Sequence, residues 1–286
     1  MGLIENIIGK LDITHTNIKV VSGGDISSAY CIETKNRKLF LKINDAERYP
    51  LMFEKEADGL QVLNQSSKLY VPPVISSGAL EGKQYLLLEW LERTEPATKT
   101  WALLGQGLAE LHRISDNYFG WKTSNYIGSL PQINDSCETW AGFYAQQRIL
   151  PLVRQLFNNN LLEKNDLNRA TTLCKNLDQI FPQESPSLLH GDLWNGNTMA
   201  ISSEKIPAVF DPAVYFGHRE MDIGMTLLFG GFDKAFYNSY NESYPLEKDW
   251  QKRIELTQLY PLLVHAILFQ GSYITKSKSI LRKWTS

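Results

Sequence analysis

The order of apolar and polar positions divides the chain into a strand-rich first part and a helix-rich second part. Apolar runs typical of strands, separated by polar turns, occur at 18–21, 29–34, 38–43 and 84–89. One longer helix interrupts them at 51–63, where apolar residues from Phe53 to Leu63 recur at helical spacing. A short helix is predicted ahead of the strands, at 3–9. The pattern therefore predicts a small sheet with one main helix.

Beyond residue 90 the pattern becomes helical. Helices are predicted at 101–114, 139–156, 161–181 and 250–275, and Pro151 is expected to kink the second of them. The polar run at 94–100, which contains a proline, lies between the two parts. We therefore predict an α+β chain with an N-terminal lobe at 1–89 and a C-terminal lobe at 90–286.

The stretch from Leu188 to Asn197 carries the clearest candidate chemistry. It reads Leu-Leu-His-Gly-Asp-Leu-Trp-Asn-Gly-Asn, and a predicted hairpin with its turn at 202–205 separates it from Asp211. Transfer of a phosphoryl group from a nucleotide needs a carboxylate at the accepting hydroxyl and oxygen ligands for Mg²⁺. We assign the first role to Asp192 and the second to Asn197 and Asp211, since Mg²⁺ prefers oxygen ligands. The alternative is a polar turn between buried strands.

Three neighbours of this stretch have predicted supporting roles. His190 is expected to shape the loop rather than to transfer a proton. Asp222 is expected to begin a helix, which it could cap, or to anchor the catalytic loop through its backbone. Trp194 lies two residues beyond the proposed base, so we expect it to line the acceptor pocket; the alternative is packing in the core.

A second group of predicted substrate residues follows Asp211. We expect His218, Arg219 and Glu220 to line the acceptor pocket with Trp194, because this segment should return past the same cleft. The alternative is that Glu220 pairs with Arg219 or another basic side chain and braces the loop.

The first lobe offers groups for the nucleotide. Gly23, Gly24 and Ser27 lie in a small-residue turn between two strands, where backbone amides can approach phosphates. Lys42 lies inside an apolar strand, which is costly unless the ammonium is paired. We favour Glu56 on the following helix as its partner, and Glu54 is the alternative.

The connection between the lobes is predicted to hold the base of the nucleotide. The last apolar strand of the first lobe ends at Glu89, and Leu91 follows shortly after it. Backbone groups of these two residues would face the edge of an adenine, and apolar neighbours would cover its faces.

Composition narrows the possible partners and compartment. The chain has 286 residues and a net charge of −2, so it lacks the basic surplus that favours nucleic acid or an anionic membrane. The longest apolar-rich run, at 259–269, is too short to span a bilayer. Cys31, Cys137 and Cys174 are widely spaced and odd in number, which indicates a reducing, cytoplasmic setting without a disulfide framework or zinc site.

The motifs together resemble the fructosamine kinase, or ketosamine-3-kinase, family of the protein-kinase-like superfamily. The resemblance rests on His-Gly-Asp-Leu-Trp-Asn-Gly-Asn at 190–197, on Asp-Pro-Ala-Val-Tyr-Phe-Gly-His-Arg-Glu-Met-Asp at 211–222, and on shorter matches around Gly23, Lys42 and Glu56. It continues through Phe-Gly-Gly-Phe at 229–232 and Leu-Phe-Gln-Gly-Ser-Tyr at 268–273, and so covers nearly the whole chain.

The resemblance implies a two-lobed protein-kinase-like fold, with an antiparallel sheet in the small lobe and a larger, mainly helical lobe. It implies that ATP and Mg²⁺ serve to phosphorylate a ketosamine, at the 3-hydroxyl of a fructosamine or ribulosamine, in a deglycation repair. Some members have a cysteine in the glycine-rich loop that links two subunits. Residues 25–28 contain none, so a disulfide-linked dimer is not expected.

Two other functions are kept as alternatives. One is a small-molecule phosphotransferase of the aminoglycoside or choline type, which shares the aspartate and asparagine of the loop. The other is a pseudokinase that binds a nucleotide without turnover. The presence of Lys42, Asp192, Asn197 and Asp211 disfavours the pseudokinase.

Overall fold

The computed structural model describes residues 2–21, 26–66 and 69–285. Its first part contains two helices, α1 (Leu3–Lys10) and α2 (Met52–Ser66). It also contains five strands, which are β1 (Asn17–Val21), β2 (Ser28–Glu33), β3 (Lys38–Asp45), β4 (Val74–Leu80) and β5 (Lys83–Glu89). They form one antiparallel sheet in the order β1-β2-β3-β5-β4.

The two faces of this sheet explain the sequence pattern of its central strands. On one face, Leu39 and Leu41 of β3 pack with Ile7 and Ile8 of α1. On the other face, the apolar side of α2 packs against alternate residues of β5. Because both faces are covered, β5 is apolar at successive positions rather than at alternate ones. Lys42 lies on the face that carries α2.

The second part is mainly helical. Its helices are α3 (Thr98–His112), α4 (Trp140–Phe143), α5 (Leu150–Asn158), α6 (Lys164–Lys175), α7 (Leu177–Ile180), α8 (Glu220–Leu228), α9 (Lys234–Ser243), α10 (Trp250–Phe269) and α11 (Ser272–Lys283). Its short strands are β6 (Arg93–Thr94), β7 (Asn125–Ile127), β8 (Leu130–Gln132), β9 (Ser187–Leu189), β10 (Thr198–Ile201), β11 (Ile206–Val209) and β12 (Tyr215–Gly217). This architecture agrees with the predicted α+β fold.

Three predicted helices are divided in the structure. The helix predicted at 139–156 is α4, a π-helical segment at Tyr144–Ile149 and α5, and Pro151 lies in the first turn after the π-helical segment. The helix predicted at 161–181 is α6 and α7. The helix predicted at 250–275 is α10 and α11, separated at Gln270 and Gly271, which have φ of 56° and 58°. Such left-handed backbone ends a right-handed helix.

Short strand pairs hold the segments that carry the candidate site. The antiparallel hairpin of β10 and β11 joins Asn197 to Asp211. Strand β9 leads into the catalytic loop and pairs with β12, which follows Asp211. Strand β6 pairs with β10, so the chain joins the second part directly after it leaves β5. Among the helices in the described ranges, none is long and apolar enough to cross a membrane.

Candidate active site

A cleft between the first sheet and the helical part contains several of the predicted site residues. The cavity in this cleft measures about 240 Å³. The predicted residues that line it are Ser27, Lys42, Glu56, Asp192, Trp194, Asn197 and Asp211. They come from the residue before β2, from β3 and α2, from the loop after β9 and from the segment after β11, so the fold brings together residues far apart in sequence.

Lys42 is held between two carboxylates. Its Nζ donates to Oε1 and Oε2 of Glu56 at 2.8 and 3.0 Å, and to Oδ1 of Asp211 at 3.1 Å. The partner on α2 is therefore Glu56, whereas Glu54 is exposed. Burial opposes a charged Lys42, but Asp211 and Glu56 outweigh it and raise the pKa of the ammonium. Lys42 thus remains a fixed positive charge in the cleft.

Asp211 has a strained backbone and an accessible carboxylate. Its φ is 54°, a left-handed conformation that residues other than glycine rarely adopt. Its side chain is 42% exposed, although Lys42 already contacts one oxygen. The carboxylate of Asp211 therefore lies in the cleft and stays accessible to solvent.

The catalytic loop fixes Asp192 and Asn197 against each other. The Nδ2 of Asn197 donates to the backbone carbonyl of Asp192 at 2.8 Å and to its Oδ2 at 2.9 Å. This bonding leaves the Oδ1 of Asn197 as the atom that can act as a ligand. Burial raises the pKa of Asp192 to about 7; the bond from Asn197 opposes the rise, and the charge of Asp211 adds to it. A carboxylate of this kind suits a base near neutral pH.

The backbone of the loop is anchored from behind by Asp222. Its carboxylate accepts the amides of His190 and Gly191 at 2.8 and 2.9 Å, and Nε2 of His112 lies 3.2 Å away. Helix α8 begins at Glu220, so Asp222 does not begin that helix and the predicted cap is wrong. Of the two expected roles, the structure shows the anchor.

Gly191 and His190 give the loop its shape. Gly191 has φ of 83°, and a Cβ there would lie 2.0 Å from the carbonyl oxygen of Ala213. Nδ1 of His190 accepts the amide of Asp192 at 3.3 Å, and its Nε2 lies 3.1 Å from the carbonyl of Phe210. Burial lowers the pKa of His190, which favours the neutral ring that this bonding requires. His190 joins the loop to the segment before Asp211.

The donor set fits Mg²⁺ held jointly with a nucleotide. Within the described residues, no group of three or more His, Cys, Asp or Glu side chains is arranged to hold a metal. Asp211 and Asn197 offer a carboxylate and an amide oxygen, and both line the cavity. Mg²⁺ commonly takes one or two such protein ligands together with phosphate oxygens and water.

The remaining nucleotide predictions concern the glycine-rich turn and the connection between the lobes. Ser27 lines the cavity, whereas Gly23 and Gly24 lie outside the described residues. Glu89 ends β5, and its carboxylate accepts a hydrogen bond from the hydroxyl of Tyr70. Glu89 and Leu91 are partly exposed, and the ring of Trp90 between them lies 6.0 Å from that of the cavity-lining Phe40. Their contact with an adenine stays a prediction.

On the acceptor side, Trp194 is partly buried and lines the cavity. Its ring meets that of Phe229 edge-on at 5.4 Å. The indole therefore packs against Phe229 on one side and borders the cleft on another. It combines the two expected positions, which are the wall of the pocket and the core.

The structure does not bring His218, Arg219 and Glu220 to the cleft. They are 0%, 2% and 0% exposed, respectively. Arg219 donates from Nε to Glu184 at 2.9 Å, and Glu220 accepts from Nε of Arg253 at 2.9 Å. The prediction that they line the acceptor pocket is wrong. Partners distant in sequence pair with Arg219 and Glu220, so these side chains are buried inside the helical part.

Several cavity-lining residues were not predicted from sequence. Lys55 comes from α2, and Asn125, Tyr126 and Gly128 come from the β7–β8 hairpin. The amide of Asn125 donates to the carbonyl of Val214 at 2.8 Å, which ties this hairpin to the segment after Asp211. The available signal was a long loop containing aromatic residues and glycines, a common feature of functional loops.

Known proteins are similar to this chain in both sequence and fold. The fructosamine kinase family profile matches residues 3–286. A probable ketoamine kinase of Synechocystis is 37% identical over 269 residues, which cover 92% of this chain and 88% of the relative. A chloroplastic protein-ribulosamine 3-kinase of Arabidopsis thaliana is 35% identical over 93% of this chain and 82% of its own.

Solved structures give the same result. A protein from Thermobifida fusca assigned as a fructosamine-3-kinase superposes with a TM-score of 0.87 and 31% identity, over 99% of this chain and 98% of that chain. Aminoglycoside phosphotransferase APH(4)-Ia shares the fold at a TM-score of 0.63 and 16% identity, over 98% and 97% of the two chains. The predicted kinase-like fold and family are confirmed, and the chain belongs to the fructosamine kinase family.

Proposed function

We propose that the protein transfers the γ-phosphoryl group of ATP to the 3-hydroxyl of a ketosamine, a fructosamine or ribulosamine. The observation that carries the proposal is the convergence of Lys42, Asp192, Asn197 and Asp211 on one cleft in a chain of the fructosamine kinase family. Kinase chemistry depends on placing such groups around the phosphates and the hydroxyl rather than on a covalent intermediate.

Asp192 acts as the base in this proposal. The acceptor hydroxyl loses its proton to Asp192, its oxygen forms a bond to the γ-phosphorus, and the bond from that phosphorus to the bridging oxygen of ADP breaks. The bond from Asn197 orients the carboxylate at 2.9 Å. Its pKa of about 7 allows Asp192 to take up a proton at neutral pH.

Lys42 and the metal ligands act on the nucleotide. Lys42, held by Glu56, contributes positive charge beside the phosphates. Asp211 and Asn197 would hold Mg²⁺, which when bound neutralises phosphate charge and orients the transferred group. A thermostable variant of APH(4)-Ia, which shares the fold, has been solved in a ternary complex with AMP-PNP and hygromycin B, so this architecture can hold a nucleotide and a second small molecule together.

A panel of acceptors tests the proposal. ADP release is measured with ATP and Mg²⁺ on fructosamines, ribulosamines, an aminoglycoside and choline. We expect turnover on the ketosamines and at least about 100-fold lower kcat/KM on the others, because a site that hydrogen-bonds particular hydroxyls rejects analogues lacking them. Preference for the aminoglycoside or choline would support the alternative phosphotransferase, and no turnover on any acceptor would support a pseudokinase.

A further inference from the structure

An aromatic cluster extends outward from Trp194 along the helical part. Phe229 meets Trp194 at 5.4 Å between ring centroids, and His265 meets Phe229 at 5.1 Å. His265 also lies 5.5 Å from Phe269 and 5.0 Å from Tyr273. Phe269 is 52% exposed, so the outer end of the cluster faces solvent. We call these residues the aromatic cluster.

The aromatic cluster is continuous with the wall of the catalytic cavity. Trp194 belongs to both. Gly128 also lines the cavity, and a Cβ at that position would lie 3.1 Å from Cδ1 of Leu268, the residue before Phe269. The C-terminal end of α10 therefore borders the cavity on the side of Trp194. When a substrate places its sugar hydroxyl at Asp192, the part of the substrate beyond the sugar can reach the aromatic cluster in this direction.

The cluster carries no positive charge that would repel an ammonium. Nδ1 of His265 lies 2.7 Å from the carbonyl of Pro261, which requires a proton on Nδ1. Burial lowers the pKa of His265, so the ring is neutral at neutral pH. The faces of aromatic rings attract cations and also cover apolar groups. Alkyl amines resemble the lysine ammonium, whose pKa is about 10.4, and are therefore cationic at neutral pH.

We propose that the aromatic cluster is the subsite for the amine of the ketosamine and for the substituent on that amine. This inference rests on the proposed ketosamine kinase activity. The sugar lies between Asp192 and Trp194, the ammonium lies near the ring of Trp194, and the substituent extends over Phe229 and Phe269. The subsite makes the enzyme selective for ketosamines whose amine carries an apolar or aromatic group.

Two acceptors that differ only beyond the amine test this subsite. They are the ketosamines of fructose with benzylamine and with methylamine. Removing one apolar contact typically costs about 1–1.5 kcal/mol, which corresponds to about a tenfold change. In Phe269→Ala we therefore expect kcat/KM for the benzylamine compound to fall about 5- to 10-fold. The methylamine compound and the KM for ATP should change less than about twofold, since neither reaches Phe269.

Two further variants control the experiment. Phe269→Tyr keeps a ring at the position and should retain the preference for the benzylamine compound. Tyr118→Ala removes a ring of similar exposure, 50%, which lies outside the cavity and the cluster, and should leave both acceptors unchanged. Unfolding curves of all variants check that the fold is kept.

The outcomes separate the subsite from the activity. Equal losses on the two acceptors in Phe269→Ala, or no loss on either, would overturn the subsite while the wild-type rates still support the kinase. If the wild-type protein phosphorylates neither acceptor, the proposed function itself fails, and the subsite fails with it.

Discussion

Two groups of charged side chains lie close to the catalytic loop, and they differ in how their charges are matched. The cleft cluster contains Lys42 with three carboxylates, those of Glu56, Asp192 and Asp211. The buried cluster contains two arginines and two glutamates, paired as Arg219 with Glu184 and Arg253 with Glu220. The cleft cluster therefore has surplus negative charge, whereas each carboxylate of the buried cluster is paired with a guanidinium.

Solvent access differs in the same sense. In the buried cluster the side chains of Glu220 and Arg253 are 1% and 9% exposed, and the guanidinium of Arg219 lies 3.9 Å from the ring centroid of Tyr244. In the cleft, the side chain of Asp211 is 42% exposed and the pKa of Asp192 is raised. Removing one partner of a matched, buried pair is costly because it leaves an uncompensated charge, whereas the unmatched charges of the cleft remain available to a metal and a proton.

The largest expected effect follows removal of the proposed base. Asp192→Ala should lower kcat by about 10²- to 10⁴-fold, because the acceptor hydroxyl then has no carboxylate to take its proton. Nucleotide binding should persist, since Lys42 and Asp211 remain. Steady-state rates and a calorimetric titration with MgATP measure the two quantities. Turnover within a few-fold of wild type would remove Asp192 from this role.

The next effect concerns stability rather than chemistry. Glu220→Gln should lower the free energy of unfolding by about 3–5 kcal/mol, because it leaves the buried guanidinium of Arg253 without its carboxylate. Denaturant unfolding at neutral pH measures the loss. Under conditions where the variant is folded, its KM for ATP should be unchanged, since Glu220 does not line the cavity.

An exposed ion pair that involves α10, the helix that also carries Arg253, provides the matched control. Glu255 pairs with Lys283 at 2.5 Å, and their side chains are 47% and 62% exposed. Glu255→Gln should cost only about 0–1 kcal/mol, because water already screens this pair. If Glu220→Gln and Glu255→Gln lowered the free energy of unfolding by similar amounts, burial of the ion pair would contribute little to that loss.

The last effect is a gain in stability at the cleft. Asp192→Asn keeps an oxygen that can accept from Asn197 and removes the charge. The carboxyl has an ordinary pKa of 3.8 and a folded-state pKa of about 7, so folding disfavours its ionised form. The penalty is absent below pH 3.8, grows as the pH rises and is complete above about 7.

Unfolding of the Mg²⁺-free protein between pH 5 and 8 measures this penalty. The asparagine variant should gain stability relative to wild type as the pH rises, by at most a few kcal/mol at pH 8, on the order of 1.4 kcal/mol per pKa unit. A stability difference that is independent of pH, or that favours wild type more strongly at high pH, would contradict the raised pKa.

Local patterns were sufficient for part of the cleft, namely the pairing of Lys42 with Glu56 and the return of Asp211 to the catalytic loop. The helical spacing placed α2 where Glu56 meets Lys42, and the hairpin after Asn197 was enough to suggest that Asp211 returns to the loop. Both relations depend on the geometry of neighbouring elements, which sequence periodicity encodes.

The positions of the buried charged residues depend on partners that are distant in sequence. Arg219 is paired with Glu184, 35 residues earlier, and Glu220 with Arg253, 33 residues later. Sequence periodicity does not contain such pairings, so the sequence predicts substrate contacts for side chains that the fold pairs with distant residues. The break at Gln270 likewise depends on a left-handed backbone that an otherwise helical pattern conceals.

The position of the phosphate on the product tests the central claim most directly. The protein is incubated with ATP, Mg²⁺ and a fructosamine, and phosphorus–proton correlation by NMR locates the new phosphate ester. We predict ADP and a phosphate on O3 of the sugar, with product formation reduced by about 10²- to 10⁴-fold in Asp192→Ala. ATP consumption without a sugar phosphate, a phosphate on another hydroxyl, or equal product from the variant would contradict the account.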